Sequence, residues 1–201
     1  METTALFTLL AQAGWTMVPL YICSLAAFLV LVRKLVQFVH EKVGDTSILA
    51  DPIMSSDDRD ALVKACEAND SPLSRVLAVA AAKADNRQRA EEAAMRKAVS
   101  ELDHFEAWIP LLGFLAQAAP LFGLLGTVVG MVDLFASMES AGNEVSTTTL
   151  SSGIWKALLT TAAGLVIAIP ALGAHLWFSR QLQLLQHRME EGVGRILERV
   201  P

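Results

Sequence analysis

The sequence has few of the features that mark a soluble enzyme or a nucleic-acid-binding protein. Only 18% of its 201 residues are charged, the net charge is −5, and 53% are apolar. Soluble domains usually carry about 25% charged residues. The negative net charge offers no basic surface for phosphates, which argues against nucleic-acid binding. The high apolar content argues against a disordered chain.

Cysteine is scarce as well, and no catalytic or metal-binding pattern is present. Cys23 and Cys66 belong to no CxxC or Cys/His cluster, so disulfide and zinc interpretations fail and two buried thiols are expected. The glycine-rich stretch 123–130 lacks the Lys-Ser/Thr ending of a phosphate loop. No Ser/His/Asp set, Cys/His set or carboxylate pair has catalytic spacing. We therefore predict no enzyme, no cofactor and no metal.

What the sequence does have is three long apolar runs, at residues 15–32, 107–138 and 154–178. Each is long enough to cross a bilayer, which takes roughly 17–25 helical residues. The chain start has no basic segment and no cleavage-like site follows the first run, so that run is predicted to be a span and not a signal peptide. The sequence predicts an integral membrane protein with three spans.

The basic residues are distributed asymmetrically around these runs. Of the sixteen Lys and Arg residues, eleven lie between positions 33 and 97 and four between 180 and 199, whereas residues 1–14 and 139–153 contain none. Basic residues favour the cytoplasmic side of a membrane. We therefore expect the N-terminus and the 140–152 loop to face the outside, and residues 40–106 and the C-terminus to lie in the cytoplasm.

The region after the first run is predicted to be helical. A charged helix is expected from about residue 57 to 68, and Ser71 followed by Pro72 predicts a capped helix start. No helix breaker follows Leu73 until Pro110, so the second apolar run is expected to continue the preceding helix, with bends at Pro110 and Pro120. One helical face carries an apolar stripe that needs a partner helix, in this chain or in a neighbouring subunit: Met95, Val99, Leu102 and Phe105.

These observations predict an all-α integral membrane fold whose second and third transmembrane helices are long and extend into a cytoplasmic helical bundle. Residues 3–13 are expected to form an interfacial helix on the outer leaflet. The predicted boundaries are 1–14 for this outer segment, 15–39, 107–139 and 153–179 for the spans, 40–106 for the cytoplasmic region, 140–152 for the outer loop, and 180–201 for a C-terminal cytoplasmic helix.

Small residues recur at helical spacing in the second and third spans. They are Gly123, Gly126 and Gly130 in the second, and Gly153, Ala157 and Gly164 in the third. Such residues let helix backbones approach closely within lipid, so helix packing is one interpretation. The other is that Thr127 and Thr161, with Thr160 beside Thr161, line a polar path, because counting from the outer loop places them within about one turn in depth.

Two charged residues lie inside the apolar runs. Asp133 and Lys156 are functional candidates because ionisable groups within a membrane are costly. Both, however, lie within about two turns of the outer surface, where long side chains reach water easily. Interfacial anchoring, a mutual ion pair and a functional role are all compatible with the sequence.

Three stretches make the sequence similar to the MotA/TolQ/ExbB proton-channel family, and to its ExbB/TolQ branch in particular. They are residues 12–24 (QAGWTMVPLYICS), 119–131 (APLFGLLGTVVGM) and 153–170 (GIWKALLTTAAGLVIAIP). The second and third are highly specific when they occur together. With the three spans, the resemblance covers nearly the whole chain except residues 41–70.

The resemblance implies a subunit that forms a homopentamer around a pore occupied by a single-span ExbD/TolR-like partner. Protons, or sodium ions in some relatives, would pass by way of an aspartate of that partner, and the work would reach a TonB/TolA-like transducer. Family positions carry over to Thr127 and Thr161 as pore-facing hydroxyls, with Thr160 adjacent. A non-conducting membrane scaffold, or a related ion-driven motor with another output, is the alternative.

The chain departs from the family pattern at Lys156, where ExbB and TolQ proteins carry glutamate. A fixed positive charge facing a pore would repel cations. Lys156 is therefore expected either to turn toward the outer interface or Asp133, or to leave ion passage to the threonines and the partner.

Overall fold

The computed structural model describes residues 17–51, 54, 58–141 and 147–200. Within these ranges the chain is all-α, with no β-strand. The helices are α1 (Val18–His40), α2 (Ser47–Ala50), α3 (Arg59–Ala68), α4 (Pro72–Ala82), α5 (Arg87–Glu106), α6 (Ile109–Ala141) and α7 (Thr147–Leu197). The interfacial helix predicted over residues 3–13 lies outside the described residues.

Three helices are long and apolar enough to cross a membrane, as the sequence predicts. Helix α1 has 23 residues, α6 has 33 and α7 has 51. At 1.5 Å per residue, α7 is roughly 75 Å long, well beyond the ~30 Å hydrocarbon core of a bilayer. It remains one helix through Pro170, and α6 remains one helix through Pro120. The all-α membrane fold with two long spanning helices is therefore confirmed.

The second apolar run continues from α5, as predicted, and residues 87–139 together form one candidate span. Two residues interrupt the helix near the bend predicted at Pro110: α5 ends at Glu106, α6 begins at Ile109, and Trp108 between them has a φ of 73°. Pro110 favours such a break, because its ring in a regular helix would crowd the carbonyl of Glu106 four residues earlier. Because Pro110 instead occupies the first turn of α6, where no amide donor is needed, the chain breaks before it.

A second interruption, between α4 and α5, was not predicted. Helix α4 ends at Ala82, and the Asn86 side chain accepts a hydrogen bond from the backbone N–H of Arg89 at the start of α5. Asparagine is a strong N-cap residue, and here it starts a new helix within an alanine-rich stretch. The cap predicted at Ser71 is confirmed, because its hydroxyl accepts from the N–H of Ser74 and Pro72 occupies the first turn.

The chain divides into two compact units. The first comprises residues 17–31, 110–141 and 147–175 of the described chain. Its core packs one face of α1 against α6 and α7 with mostly small side chains. Nine residues form it: Met17, Leu20, Cys23, Ala27, Leu115, Ala116, Ala119, Ala168 and Ala171. Small residues at these positions allow the close helix approach that stabilises helix bundles in lipid.

The second unit comprises residues 32–109 and 176–200 within the described ranges. Its core buries one face of α4 together with an aromatic cluster, in which the Phe38 ring lies 5.8 Å from that of Phe105 and 4.9 Å from that of Phe178, measured between centroids. Only part of the apolar stripe predicted on α5 is buried in this core: Phe105 is fully buried, whereas Met95 and Val99 are exposed.

Both cysteines are free and buried, as the sequence predicts. Cys66 lies on α3 in the second unit, where burial, with the nearby charges of Asp51 and Glu67, raises the pKa of its thiol to about 11. The thiol is therefore protonated and unreactive near neutral pH.

Candidate functional site

Helices α6 and α7 meet along a seam of small residues in the first unit. The seam contains Gly123, Gly126 and Gly130 on α6 and Ala157, Thr160, Thr161 and Gly164 on α7. Spacings of three, four and seven residues put each set on one helix face. The structure thus places every residue of the predicted small-residue pattern, including Gly153, at the contact between these two helices.

The approach is closest around Gly123 and Gly164. A Cβ at position 164 would lie 2.6 Å from the carbonyl oxygen of Ala119, and one at position 123 would lie 2.9 Å from that of Thr160. Both obstacles are backbone atoms, which do not move aside as a flexible side chain would. The two helices therefore pack backbone against backbone at this depth, and only glycine fits at these two positions.

Two threonine hydroxyls of α7 converge on one carbonyl of α6. Thr160 Oγ1 lies 3.2 Å and Thr161 Oγ1 3.1 Å from the carbonyl oxygen of Gly123. Thr160 Oγ1 is also 2.7 Å from the carbonyl oxygen of Ala157 in its own helix. Thr160 is only 1% exposed, whereas Thr161 is half-buried. The first hydroxyl is thus enclosed in the seam, and the second lies at its edge.

Thr127 lies one turn further along α6 from Gly123. Its hydroxyl donates to the carbonyl oxygen of Leu124 at 2.7 Å, and its side chain is half-buried. The hydroxyls of Thr127 and Thr161 bond the carbonyls of the consecutive residues Leu124 and Gly123, so they lie within about one helical turn of each other in depth. No hydrogen bond joins these two hydroxyls among the described residues.

Beyond Thr127, toward the α6–α7 connection, the seam is closed by apolar contacts. A Cβ at Gly130 would lie 3.3 Å from that of Ala157, and one at Gly153 would lie 2.7 Å from Cδ1 of Leu134. Asp133 and Lys156 point away from this contact and are both exposed. They form no ion pair with each other in the described part of the chain, so the mutual ion pair considered from the sequence is not observed.

At the opposite end of the seam the structure shows a contact that sequence reasoning missed. The imidazole of His175 lies against Gly113, such that a Cβ at position 113 would be 3.0 Å from Cε1 of His175. Gln117 donates to the Gly113 carbonyl oxygen at 3.2 Å. The sequence places Gly113 and His175 in the second and third apolar runs, but no spacing rule pairs residues of two different helices.

Around Gly123 the seam offers only hydroxyl and carbonyl groups, and the imidazole of His175 lies at its far end beside Gly113. The carboxylates in the described part of the first unit are Asp133 and Glu139, and both are exposed toward the α6–α7 connection. No cluster of His, Cys, Asp or Glu suited to a metal ion occurs among the described residues. Hydroxyls can relay or coordinate a cation, but they do not take up and release a proton near neutral pH as a carboxylate does.

Comparison with known proteins connects this arrangement to ion-driven membrane proteins. The sequence model of the MotA/TolQ/ExbB proton channel family matches residues 68–191, the region that contains α6 and most of α7. The Biopolymer transport protein exbB1 of Vibrio cholerae is 37% identical over 89 residues, which are 42% of this chain and 39% of that protein.

Two further relatives extend the comparison. The Tol-Pal system protein TolQ of Pseudomonas aeruginosa is 38% identical over 93 residues, covering 46% of this chain and 40% of that protein. The Biopolymer transport protein ExbB of Neisseria meningitidis serogroup A is 23% identical over 191 residues, covering 86% and 84%. The two matches of higher identity thus span about two fifths of the relatives' own length.

Proposed function

The chain belongs to the MotA/TolQ/ExbB proton channel family, and from this premise we propose that it is an ExbB/TolQ-like subunit of a proton-driven motor in the bacterial inner membrane. The motor couples the ion-motive force to a TonB/TolA-like energy transducer, for outer-membrane import or envelope maintenance. The chain itself binds no cofactor and catalyses no covalent reaction.

One observation carries this proposal. The first unit presents hydroxyls at the edge of a tight glycine seam, and its described carboxylates are exposed near one end, away from those hydroxyls. A proton path needs a group that titrates, and none of the described residues places one beside these hydroxyls, so we infer that a carboxylate of another chain supplies it there. A single-span ExbD/TolR-like partner with an aspartate in its span would supply it, at the depth of Thr127 and Thr161.

The proposal assigns different roles to the three threonines. Thr127 and Thr161 are half-buried and face the ion pathway, where their hydroxyls contact the partner or a passing ion. Thr160 was grouped with them from the sequence, but it is enclosed between α6 and α7 and serves the helix contact. Asp133 and Lys156 are exposed near the outer surface and act as interfacial anchors.

The proposed assembly follows from the same premise. Five copies of the chain enclose a pore, the N-terminus and the 140–152 loop face the periplasm, and residues 40–106 and 180–201 lie in the cytoplasm. The support for this orientation is the concentration of basic residues in 33–97 and 180–199. The driving ion is a proton, or sodium as in some relatives.

The test replaces the two half-buried hydroxyls and compares ion-driven transport. The double variant Thr127→Val/Thr161→Val keeps side-chain shape but removes both hydroxyls, and it is expected to abolish energised transport while the complex still assembles. The matched control is Thr127→Ser/Thr161→Ser, which keeps the hydroxyls and should retain transport. Equal transport by the wild type and the valine variant would exclude the pore role.

A non-conducting scaffold is the second candidate, since the backbone contacts at Gly123 and Gly164 would serve helix packing alone equally well. The two candidates differ in ion flux. Purified chain reconstituted with its single-span partner should conduct protons if it is a motor subunit, and should not if it is a scaffold. A related motor with a different output would conduct but would not respond to a TonB/TolA-like transducer.

A further inference from the structure

Two consecutive basic residues of α1 contact the break between α5 and α6, and they do so in opposite ways. Lys34 is fully buried, although its position at the end of an apolar run suggested an exposed charge. Arg33 is exposed, and its guanidinium carbon lies 5.4 Å from the centre of the Trp108 ring. All these residues belong to the second unit.

Lys34 fixes the break in place. Its ammonium group donates to the carbonyl oxygen of Phe105 and to Oε1 of Gln37, each at 2.8 Å. Phe105 lies in the last turn of α5, where carbonyl groups lose regular intrahelical donors, and the Lys34 ammonium group donates to its carbonyl oxygen. A cation at the C-terminal end of a helix also interacts favourably with the helix dipole. The break is therefore stabilised by a specific hydrogen bond from α1.

The break holds Trp108 in an unfavourable backbone conformation and displays its ring. A φ of 73° is rare for a bulky residue and costs of order 1–3 kcal/mol, whereas glycine adopts it readily. Trp108 is nevertheless 48% exposed, so about half of its surface is left outside contacts within this chain. A tryptophan at this position points to a requirement for the exposed indole itself.

The location suits a membrane surface. Arg33 follows directly on the apolar run of α1, and Trp108 directly precedes α6, so both mark the ends of membrane-spanning segments. Tryptophan is enriched at the level of lipid headgroups, and arginine binds phosphate with its planar guanidinium. None of the ion pairs among the described residues involves Arg33, so its charge is not neutralised by a carboxylate there.

We propose that Arg33 and Trp108 form a binding site for the headgroup of an anionic phospholipid. The indole packs against the glycerol and upper acyl region, and the guanidinium, oriented by its contact with the ring, binds the phosphate. Lys34 takes no direct part, because its ammonium group is enclosed, and it acts by holding the break that presents the ring. The site does not depend on the proposed motor function.

Native mass spectrometry of the full chain with equimolar phosphatidylglycerol and phosphatidylcholine tests the site. The wild type is expected to retain phosphatidylglycerol about fivefold more than phosphatidylcholine, the factor equivalent to ~1 kcal/mol per basic residue at an anionic surface. Arg33→Gln should reduce this preference to near unity. Equal retention of the two lipids by the wild type would overturn the proposal.

Two further variants separate the site from general effects of charge and folding. Arg96→Gln removes another exposed positive charge of the same unit, one that lies 3.8 Å from Glu92, and it should keep the preference. Trp108→Gly removes the indole but readily adopts the same backbone conformation, so it should remain folded yet lose the preference. The same loss in Arg96→Gln as in Arg33→Gln, or full retention in Trp108→Gly, would contradict a site built from this pair.

Discussion

The α-carbon of Gly164 faces the carbonyl oxygen of Ala119 so closely that a methyl group on residue 164 would lie 2.6 Å from that oxygen. The same methyl would lie 3.3 Å from the α-carbon of Gly123. This contact sets how near α6 and α7 can come, and so it places the hydroxyls of Thr160 and Thr161 within hydrogen-bonding distance of the Gly123 carbonyl.

We therefore predict that Gly164→Ala destabilises the first unit by about 1–3 kcal/mol, the usual cost of forcing an extra methyl into a packed contact. Gly173→Ala is the matched control on the same helix, since a Cβ there would meet nothing within 4 Å in this chain. Thermal unfolding of both variants in the same detergent provides the comparison. Equal melting temperatures for the two variants would show that the seam tolerates wider spacing.

The buried ammonium group of Lys34 gives a second prediction. Lys34→Met keeps the length of the side chain but leaves the Phe105 carbonyl without its donor, which costs about 1–3 kcal/mol. Hydrogen exchange of the amides in residues 105–109 should accelerate as the break loosens. Lys64→Met, which changes an exposed lysine of the same unit, is the control and should leave that exchange unaltered.

The third prediction concerns the acid stability of the second unit. Glu101 receives two bonds from Arg75, at 3.0 and 2.7 Å, and one from Lys97 at 2.7 Å. Burial acts to raise the pKa of Glu101, but these cationic partners outweigh it, so the pKa lies below the ordinary value of 4.5. Because the folded state lowers this pKa, the stabilisation is complete above pH 4.5 and is lost as the pH falls through the folded-state value.

Glu101→Gln should accordingly lower stability at pH 7 by about 1–3 kcal/mol, and the difference from the wild type should shrink below pH 4.5. The exposed carboxylate of Glu92, 3.8 Å from Arg96, offers the control Glu92→Gln, which should change stability by under ~1 kcal/mol at either pH. Denaturation measured from pH 3 to 7 checks both. A pH-independent deficit in Glu101→Gln would mean that shape, and not charge, explains the loss.

The features that the sequence predicted are those with a strong local signal. The three spans follow from uninterrupted apolar length, and the helix start at Ser71 follows from a cap residue directly before a proline. Glycine and threonine at helical spacing identified the residues that now lie along the α6–α7 seam. The partner of each, such as Ala119 opposite Gly164, required the crossing geometry, which no spacing rule provides.

The features that escaped prediction depend on contacts between distant residues. From the sequence alone, Lys34 is a charge at the end of an apolar run. Its burial is explained by the hydrogen bond from its ammonium group to the carbonyl oxygen of Phe105, which is 71 residues away along the chain. Asn86 lies in a stretch of good helix formers, so the sequence alone does not show whether it caps a new helix or lies within a continuous one. The strained Trp108 combines both causes, since Pro110 favours the break locally and α1 supplies the cations that contact it.

We propose that this chain forms a pore around a partner that supplies the titrating carboxylate. The pore is tested by co-expressing the chain with its candidate single-span partner and determining the subunit composition of the purified complex by native mass spectrometry. We expect five copies of this chain with one or two copies of the partner. A stable monomer or dimer that does not retain the partner would contradict it, and the glycine seam would then be a packing surface alone.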